Sequence, residues 1–168
     1  GARYSAENFT IEEMKTWVDY CHLYGVDVHV TVNTLVKEKE IESLKEYLKQ
    51  LNEIGVDALI VQDMGAVEII KKTVPDMTLH ASTQMTVTSL EGVKYLEDMG
   101  FSRVVLAREL SEKEIEHICK NAKAEIEVFV HGAICMCYSG QCLMSSILGG
   151  RSGNRGRCAQ PCRLPYDL

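Results

Sequence analysis

No run of apolar residues in the 168-residue chain approaches the roughly 20 needed to cross a bilayer. The opening stretch, GARYSAENFT, lacks the charged-then-apolar pattern of an export signal. It also lacks an initiator methionine, so the chain reads as a piece cut from a longer one, and a reducing cytoplasm is the expected setting. Seven cysteines is an odd number, which fits a complete disulfide framework poorly. There is no G-x-S-x-G turn, no H-E-x-x-H helix and no Walker spacing, so no familiar hydrolase or P-loop mechanism is specified. A net charge of −6 argues against a general nucleic-acid coat.

What remains is a chain with the content of a packed domain: 46% hydrophobic and 25% charged residues. Its charge is uneven. Residues 132–168 hold Arg151, Arg155, Arg157 and Arg163 against Asp167 alone, which suits a small anionic target or one contact with a phosphate backbone.

Residues 1–131 alternate helix and strand. Thr10 and Glu13 have capping-box spacing, and Ile11, Met14, Trp17, Val18 and Cys21 form an apolar stripe ending near Gly25. VDVHVTV follows as a strand. A helix over about 37–54 stops at Gly55 before the strand DALIV, and a short one over 66–73 stops before Pro75 and the strand MTLHA. Another runs from Ser89 to Gly100 before RVVLA. The last begins at Ser111, with Glu114 completing a capping box, and leads to EIEVFV. YGVDVHV, IGVDALI and MGFSRVV repeat one helix-stop chemistry in register. Five such units imply an α/β fold with a parallel sheet: an incomplete TIM-like (β/α) barrel, because a closed one needs eight strands and about 250 residues. A flavodoxin-like doubly wound sheet is the alternative.

In either fold the strand ends share one face, where sites are built. Those ends are polar: Asn33–Thr34, Gln62–Asp63, Ser82–Thr83–Gln84, Arg108–Glu109 and His131. They suit a polar small molecule or an extruded base, although Asp63 and Thr83 could equally cap helices and Arg108–Glu109 could form a structural ion pair. His80 lies within its strand, where a core role and a ligand-binding role compete. His22, His29 and His117 have no partner pattern, and Cys21 and Cys119 read as core cysteines on apolar helix faces.

The other five cysteines crowd into HGAICMCYSGQCLMSSILGGRSGNRGRCAQPCR at 131–163. Cys135 and Cys142 are spaced C-x6-C, and Cys158 and Cys162 are spaced C-x3-C. Zinc ribbons prefer C-x2-C, and the compact ferredoxin run is absent, so a 4Fe–4S cluster, zinc and unliganded thiols all remain open. The glycines let backbone wrap closely and donate amides to sulfur. A nucleophilic Cys135 activated by His131 is the enzymatic alternative. GGRSGNRGR, with Arg151 and Arg155, could grip phosphate or carboxylate or be a solvated loop.

EVFVHGAICMCYSGQCLMSS followed by GRSGNRGRCAQPCRLPY resembles the signature of the peptidase U-32 family, the collagenase-like peptidases. NTL at Asn33, VQD at Gln62, LHASTQ at His80 and VVLAREL at Val104 support it, so the resemblance covers essentially the whole chain. It implies the middle of a TIM-barrel-like N-terminal domain, with 1–131 a partial barrel and 132–168 a cysteine-rich segment packed on it; a piece of this kind is expected to be inactive by itself. The family name implies proteolysis of peptides. Other branches are linked to oxygen-independent hydroxylation of ribosomal RNA cytidine, of transfer RNA uridine with prephenate as hydroxyl donor, or of the ubiquinone ring. In those branches four cysteines hold an iron–sulfur cluster. Cys135, Cys142 and Cys158 match such ligands, Cys162 is the local fourth, and Cys137 looks like a branch variation. The GGRSGNRG form is more similar to the ribosomal-RNA branch. By the same resemblance Glu109, Arg108, His131 and Asp63 are candidate catalytic groups, and Asn33, His80, Gln84, Arg151 and Arg155 candidate substrate contacts.

Overall fold

The computed structural model describes residues 8–132 and 135–166. Helix α1 (Ile11–Leu23) opens on the Thr10–Glu13 capping box, with both reciprocal hydrogen bonds formed. β1 (His29–Val32), α2 (Ile41–Glu53), β2 (Ala58–Val61), α3 (Met64–Thr73), β3 (Thr78–Ala81), α4 (Leu90–Asp98), β4 (Phe101–Val105), α5 (Glu112–Asn121) and β5 (Glu125–Glu127) follow. Gly25, Gly55 and Gly100 sit just past α1, α2 and α4 at φ of 66°, 81° and 85°. That left-handed turn ends a helix cheaply only when no Cβ is present.

The five strands pair in parallel in the order β1-β2-β3-β4-β5. Sequential order without reversal is barrel order; a doubly wound sheet would turn back on itself. Right-handed crossovers between adjacent strands place the helices on one face. The core shows this. Leu59, Val61, Leu79, Ala81 and Val104 point to that face and join Leu48, Leu51, Val67, Ile70, Val93 and Ile118 in one cluster. The opposite face carries a row at one height, Thr31, Ile60, His80, Arg103 and Glu125, read off the register. This is the arrangement of an incomplete (β/α) barrel, with that row on its inner wall.

Several expectations are corrected. EIEVFV pairs only over Glu125–Glu127, because β4 ends at Val105 and leaves nothing for later residues to bond; Phe129 and Val130 are exposed. His131 therefore does not end a strand but lies four residues beyond one, in an exposed bend. Cys119 is exposed, since α5 turns Ile118 inward and the next position points about 100° away. Cys21 is only half-buried, and α1 buries Val18 alone, leaving Trp17 52% exposed. His22 and His29 do have partners: His22 Nε2 lies 2.8 Å from Asp57 Oδ2, and the His29 and His80 rings meet edge to face at 4.6 Å. Among the described residues no helix is long and apolar enough to cross a membrane.

Candidate functional site

The C-terminal ends of the strands form a mouth, and the segment after residue 135 is seated on it. A short helix α6 (Met144–Gly149) and single turns at Gly153–Arg155 and Pro161–Arg163 shape that segment. Its glycine-rich part docks rather than waving in solvent. The Asn154 carbonyl accepts from Leu35 N at 3.3 Å and from Gln62 Nε2 at 3.3 Å. Gln62 Nε2 also donates to the Asn33 carbonyl at 2.6 Å. Arg155 closes a two-pronged ion pair on Glu40 at 2.6 and 3.0 Å and donates to the Leu35 carbonyl at 2.8 Å. The guanidinium, and then the Lys37 amide, hold the Glu40 carboxyl down at about 2. Arg155 is thus spent on tying the tract to the chain after β1, whereas Arg151 is exposed.

Asp63 is likewise committed. Its Oδ1 accepts from Ala66 N at 3.0 Å as the cap of α3, and its Oδ2 accepts from Val36 N at 2.9 Å. Both oxygens serve backbone amides, which is the capping role the sequence also allowed. Asn33 is 8% exposed, and its Oδ1 has no partner among the described residues. Gln84 Oε1 and His80 Nδ1 are also buried and, among the described residues, unpaired. His80 faces the inner wall beside His29 and Arg103. Burial, then the Arg103 charge, pushes its imidazole down to about 4, so it stands neutral at pH 7 with one nitrogen unused. Arg103 itself bonds Glu125 through Nε at 2.8 Å and reaches Glu127 at 3.5 Å.

Arg108 and Glu109 are not an ion pair with each other; both hold Ser139, a fully buried residue between Cys137 and Cys142. Arg108 and His131 also line an open hollow of about 550 Å³, otherwise mostly apolar, with Leu110, Ile115, Val128 and Phe129 in its wall. The expected catalytic set therefore divides. Arg108 and Glu109 both hold Ser139, Arg108 and His131 line the same hollow, and Asp63 caps α3.

The cysteines receive donors to sulfur but, among the described residues, form no closed set. Burial raises the Cys137 thiol, as do the Cys142 and Cys135 sulfurs beside it. Gly153 lies between the stretches of chain at Cys142 and Cys158: a Cβ there would stand 3.6 Å from the Cys142 carbonyl oxygen and 3.7 Å from Cys158 Cβ. Met144 N donates to Cys142 Sγ at 3.4 Å, Gln160 N to Cys158 Sγ at 3.4 Å, and Ser145 Oγ to Cys158 Sγ at 3.7 Å. Such N–H and O–H donors to sulfur suit thiolates holding a soft metal or an iron–sulfur cluster. Among the described residues, no three metal-ligating side chains stand in ligating geometry, and Cys135 and Cys162 are exposed. The donor chemistry fits such a group, and the described thiols do not stand in ligating geometry.

Sequence reasoning passed over Ser139, Glu40 and Asn154. No periodicity or charge run marks them. For Ser139 the one signal was its place in CYSGQC.

The chain matches other proteins along its whole length. It is 46% identical over 168 residues to the 23S rRNA 5-hydroxycytidine C2501 synthase of Escherichia coli, covering 100% of this chain and 25% of that protein. It is 39% identical over 168 residues to the tRNA hydroxylation protein P1 of Bacillus subtilis, covering 100% of this chain and 40% of that one. The chain thus spans well under half the length of these curated relatives. The structure of the U32 peptidase Mk0906 shares the fold at a TM-score of 0.64 and 23% identity, over 80% of this chain and 57% of that one. The family model for peptidase family U32 matches residues 1–168, and the chain belongs to that family.

Proposed function

We propose that this chain is the barrel-mouth portion of an RNA-base hydroxylase of the U32 family, working in the cytoplasm on ribosomal or transfer RNA, with its cysteine segment cradling a 4Fe–4S cluster. The likeness to relatives named for hydroxylation of 23S rRNA and tRNA supports the substrate class. The observation that favours the cofactor is that the Cys142 and Cys158 sulfurs already receive hydrogen bonds, from Met144 N and from Gln160 N and Ser145 Oγ. Cys135, Cys142 and Cys158 supply three thiolates and Cys162 the local fourth. When bound, the cluster supplies one-electron chemistry without oxygen. The chain's own residues do the rest. The hollow beside Arg108 and His131 takes a base that has left its stack. Arg151 meets a phosphate or the carboxylates of a donor such as prephenate.

The test is protein expressed from its whole reading frame and purified without oxygen, assayed for iron, sulfide and zinc. Iron and sulfide of about four each, lost in Cys142→Ser and Cys158→Ser, are expected. Nucleosides from cells lacking the gene should lose one hydroxylated base by mass, restored by the wild type and not by Cys142→Ser. Zinc in place of iron would make the segment a structural RNA-binding module and end the redox reading.

A peptidase is the second reading, favoured by the exposed Cys135 four residues after His131 at the hollow. It requires peptide cleavage by the purified protein that Cys135→Ser and His131→Ala both abolish; cleavage that survives either change would sink it.

A further inference from the structure

Ser139 is the most enclosed polar residue of the cysteine segment, at 0% exposure. Every hydrogen-bonding group it has is engaged by the barrel mouth. Its amide donates to Glu109 Oε1 at 3.1 Å. Its hydroxyl accepts from Arg108 Nη2 at 3.2 Å and lies 3.4 Å from Thr83 Oγ1, which also donates to the Leu106 carbonyl at 3.2 Å. Its carbonyl accepts from Thr86 Oγ1. Gly140 comes next at φ 75°, pressed so close to the chain after β3 that a Cβ would overlap the Gln84 carbonyl oxygen and stand 3.0 Å from its carbon. Gln141 Nε2 completes the contact on Thr86 Oγ1 at 3.4 Å.

The receiving side is strained. Thr86 has φ 56° and ψ 48°, a left-handed conformation that a β-branched residue adopts at a cost. That conformation coincides with the hydroxyl bond to the Ser139 carbonyl. A buried serine with every group matched, a glycine that admits no side chain and a strained threonine at the same contact together form a latch, not an incidental touch.

We infer that Ser139–Gly140 is the latch that seats the cysteine segment on the barrel mouth, and that Glu109, Thr86 and Thr83 are positioning residues which fix where Cys137 and Cys142 stand. Arg108 serves both sides, holding Ser139 and lining the hollow, so the latch sets the sulfurs' place relative to the pocket. The latch is a property of the protein without metal. It stands or falls separately from the cluster reading.

Site-resolved alkylation tests it. Metal-free, reduced whole-length protein is treated with iodoacetamide, and each cysteine's rate is read by peptide mass spectrometry. Exposed Cys119, on α5, is the internal reference. Glu109→Ala should raise the rates at Cys137 and Cys142 roughly tenfold relative to Cys119, because losing a charge-assisted bond to a buried amide shifts local opening by about that factor. Glu109→Gln keeps an acceptor and should return most of the protection. Gly140→Ala should expose the same two cysteines at least as strongly. If Gly140→Ala loses far-UV circular dichroism, the Glu109 pair decides alone. Unchanged Cys137 and Cys142 rates in Glu109→Ala, with native circular dichroism, would overturn the latch. So would exposure that Glu109→Gln fails to reverse. Latched sulfurs in a protein that binds no iron would leave the latch standing and remove the cluster.

Discussion

His80 shows how one side chain can report on the whole inner wall. It is 5% exposed, one ring nitrogen has no partner among the described residues, and His29, Arg103 and Glu125 surround it. Burial and the Arg103 charge carry its folded value from the usual 6.5 to about 4. Between those two pH values the unfolded chain holds a proton that the folded chain refuses. Stability from this source is therefore complete above pH 6.5 and drains as pH falls towards 4. Below that window the carboxylates held down by partners, Glu40 on Arg155 and Glu125 on Arg103 among them, continue the loss as they take up protons. Urea midpoints of the wild type should drop between pH 7 and pH 4.5, and those of His80→Phe should stay level across the same span. An equal drop in both proteins would place the titrating group elsewhere. The sequence put His80 in a strand and left its role open, because the charge that depresses it, Arg103, is 23 positions away and meets it only through the β3–β4 register.

The elements were legible where their cause is local. Capping boxes at Thr10 and Ser111, the Asp63 cap and the left-handed glycines all act within four residues, and each marks a helix boundary that the structure places there. The stripe of α2 is of the same kind: Leu44, Leu48 and Leu51 recur at helical spacing and all are buried. Leu48 is wholly enclosed, so Leu48→Ala should cost about 2–5 kcal/mol in urea unfolding, with the slope unchanged. A loss under about 1 kcal/mol would mean that α2 is not held on the sheet as described. What was not legible depends on partners far along the chain. EIEVFV has the composition of a longer strand, but pairing stops where β4 stops. Arg155 looked like an anion-binding arginine in a flexible tract, and Glu40, 115 residues earlier, claims it. The candidate site follows the same division. The cysteines and the polar strand ends could be read from the sequence, whereas the Ser139 contacts that join them could not, since no local pattern encodes a contact between residues 30 to 56 positions apart.

At the scale of the whole molecule, sequential strands and helices on one side leave two unpaired sheet edges among the described residues and an inner wall that no helix covers. A closed barrel fills that wall with layered side chains, mostly branched and apolar. Here the row holds His80, Arg103 and Glu125, with Glu127 two residues further along β5, so the wall is charged and half-wet. The outer surface has its own unfinished region. On α1 Trp17 and Tyr20 meet edge to face at 5.9 Å, Tyr20 and Tyr24 meet at 5.1 Å, and all three are more than half exposed. Contiguous aromatic surface of this kind either is covered by another surface or drives association. Trp17 is the chain's one tryptophan, so its fluorescence reports on this face alone. At low micromolar concentration the 168-residue chain should emit with the red maximum of a wetted indole and be readily quenched by iodide. If α1 pairs with a second copy, rising concentration should shift emission to the blue, reduce quenching and increase the sedimentation coefficient, and Tyr20→Lys should suppress all three changes together. Emission that is blue and resistant to quenching at the lowest concentration would mean that α1 folds its aromatic face inward.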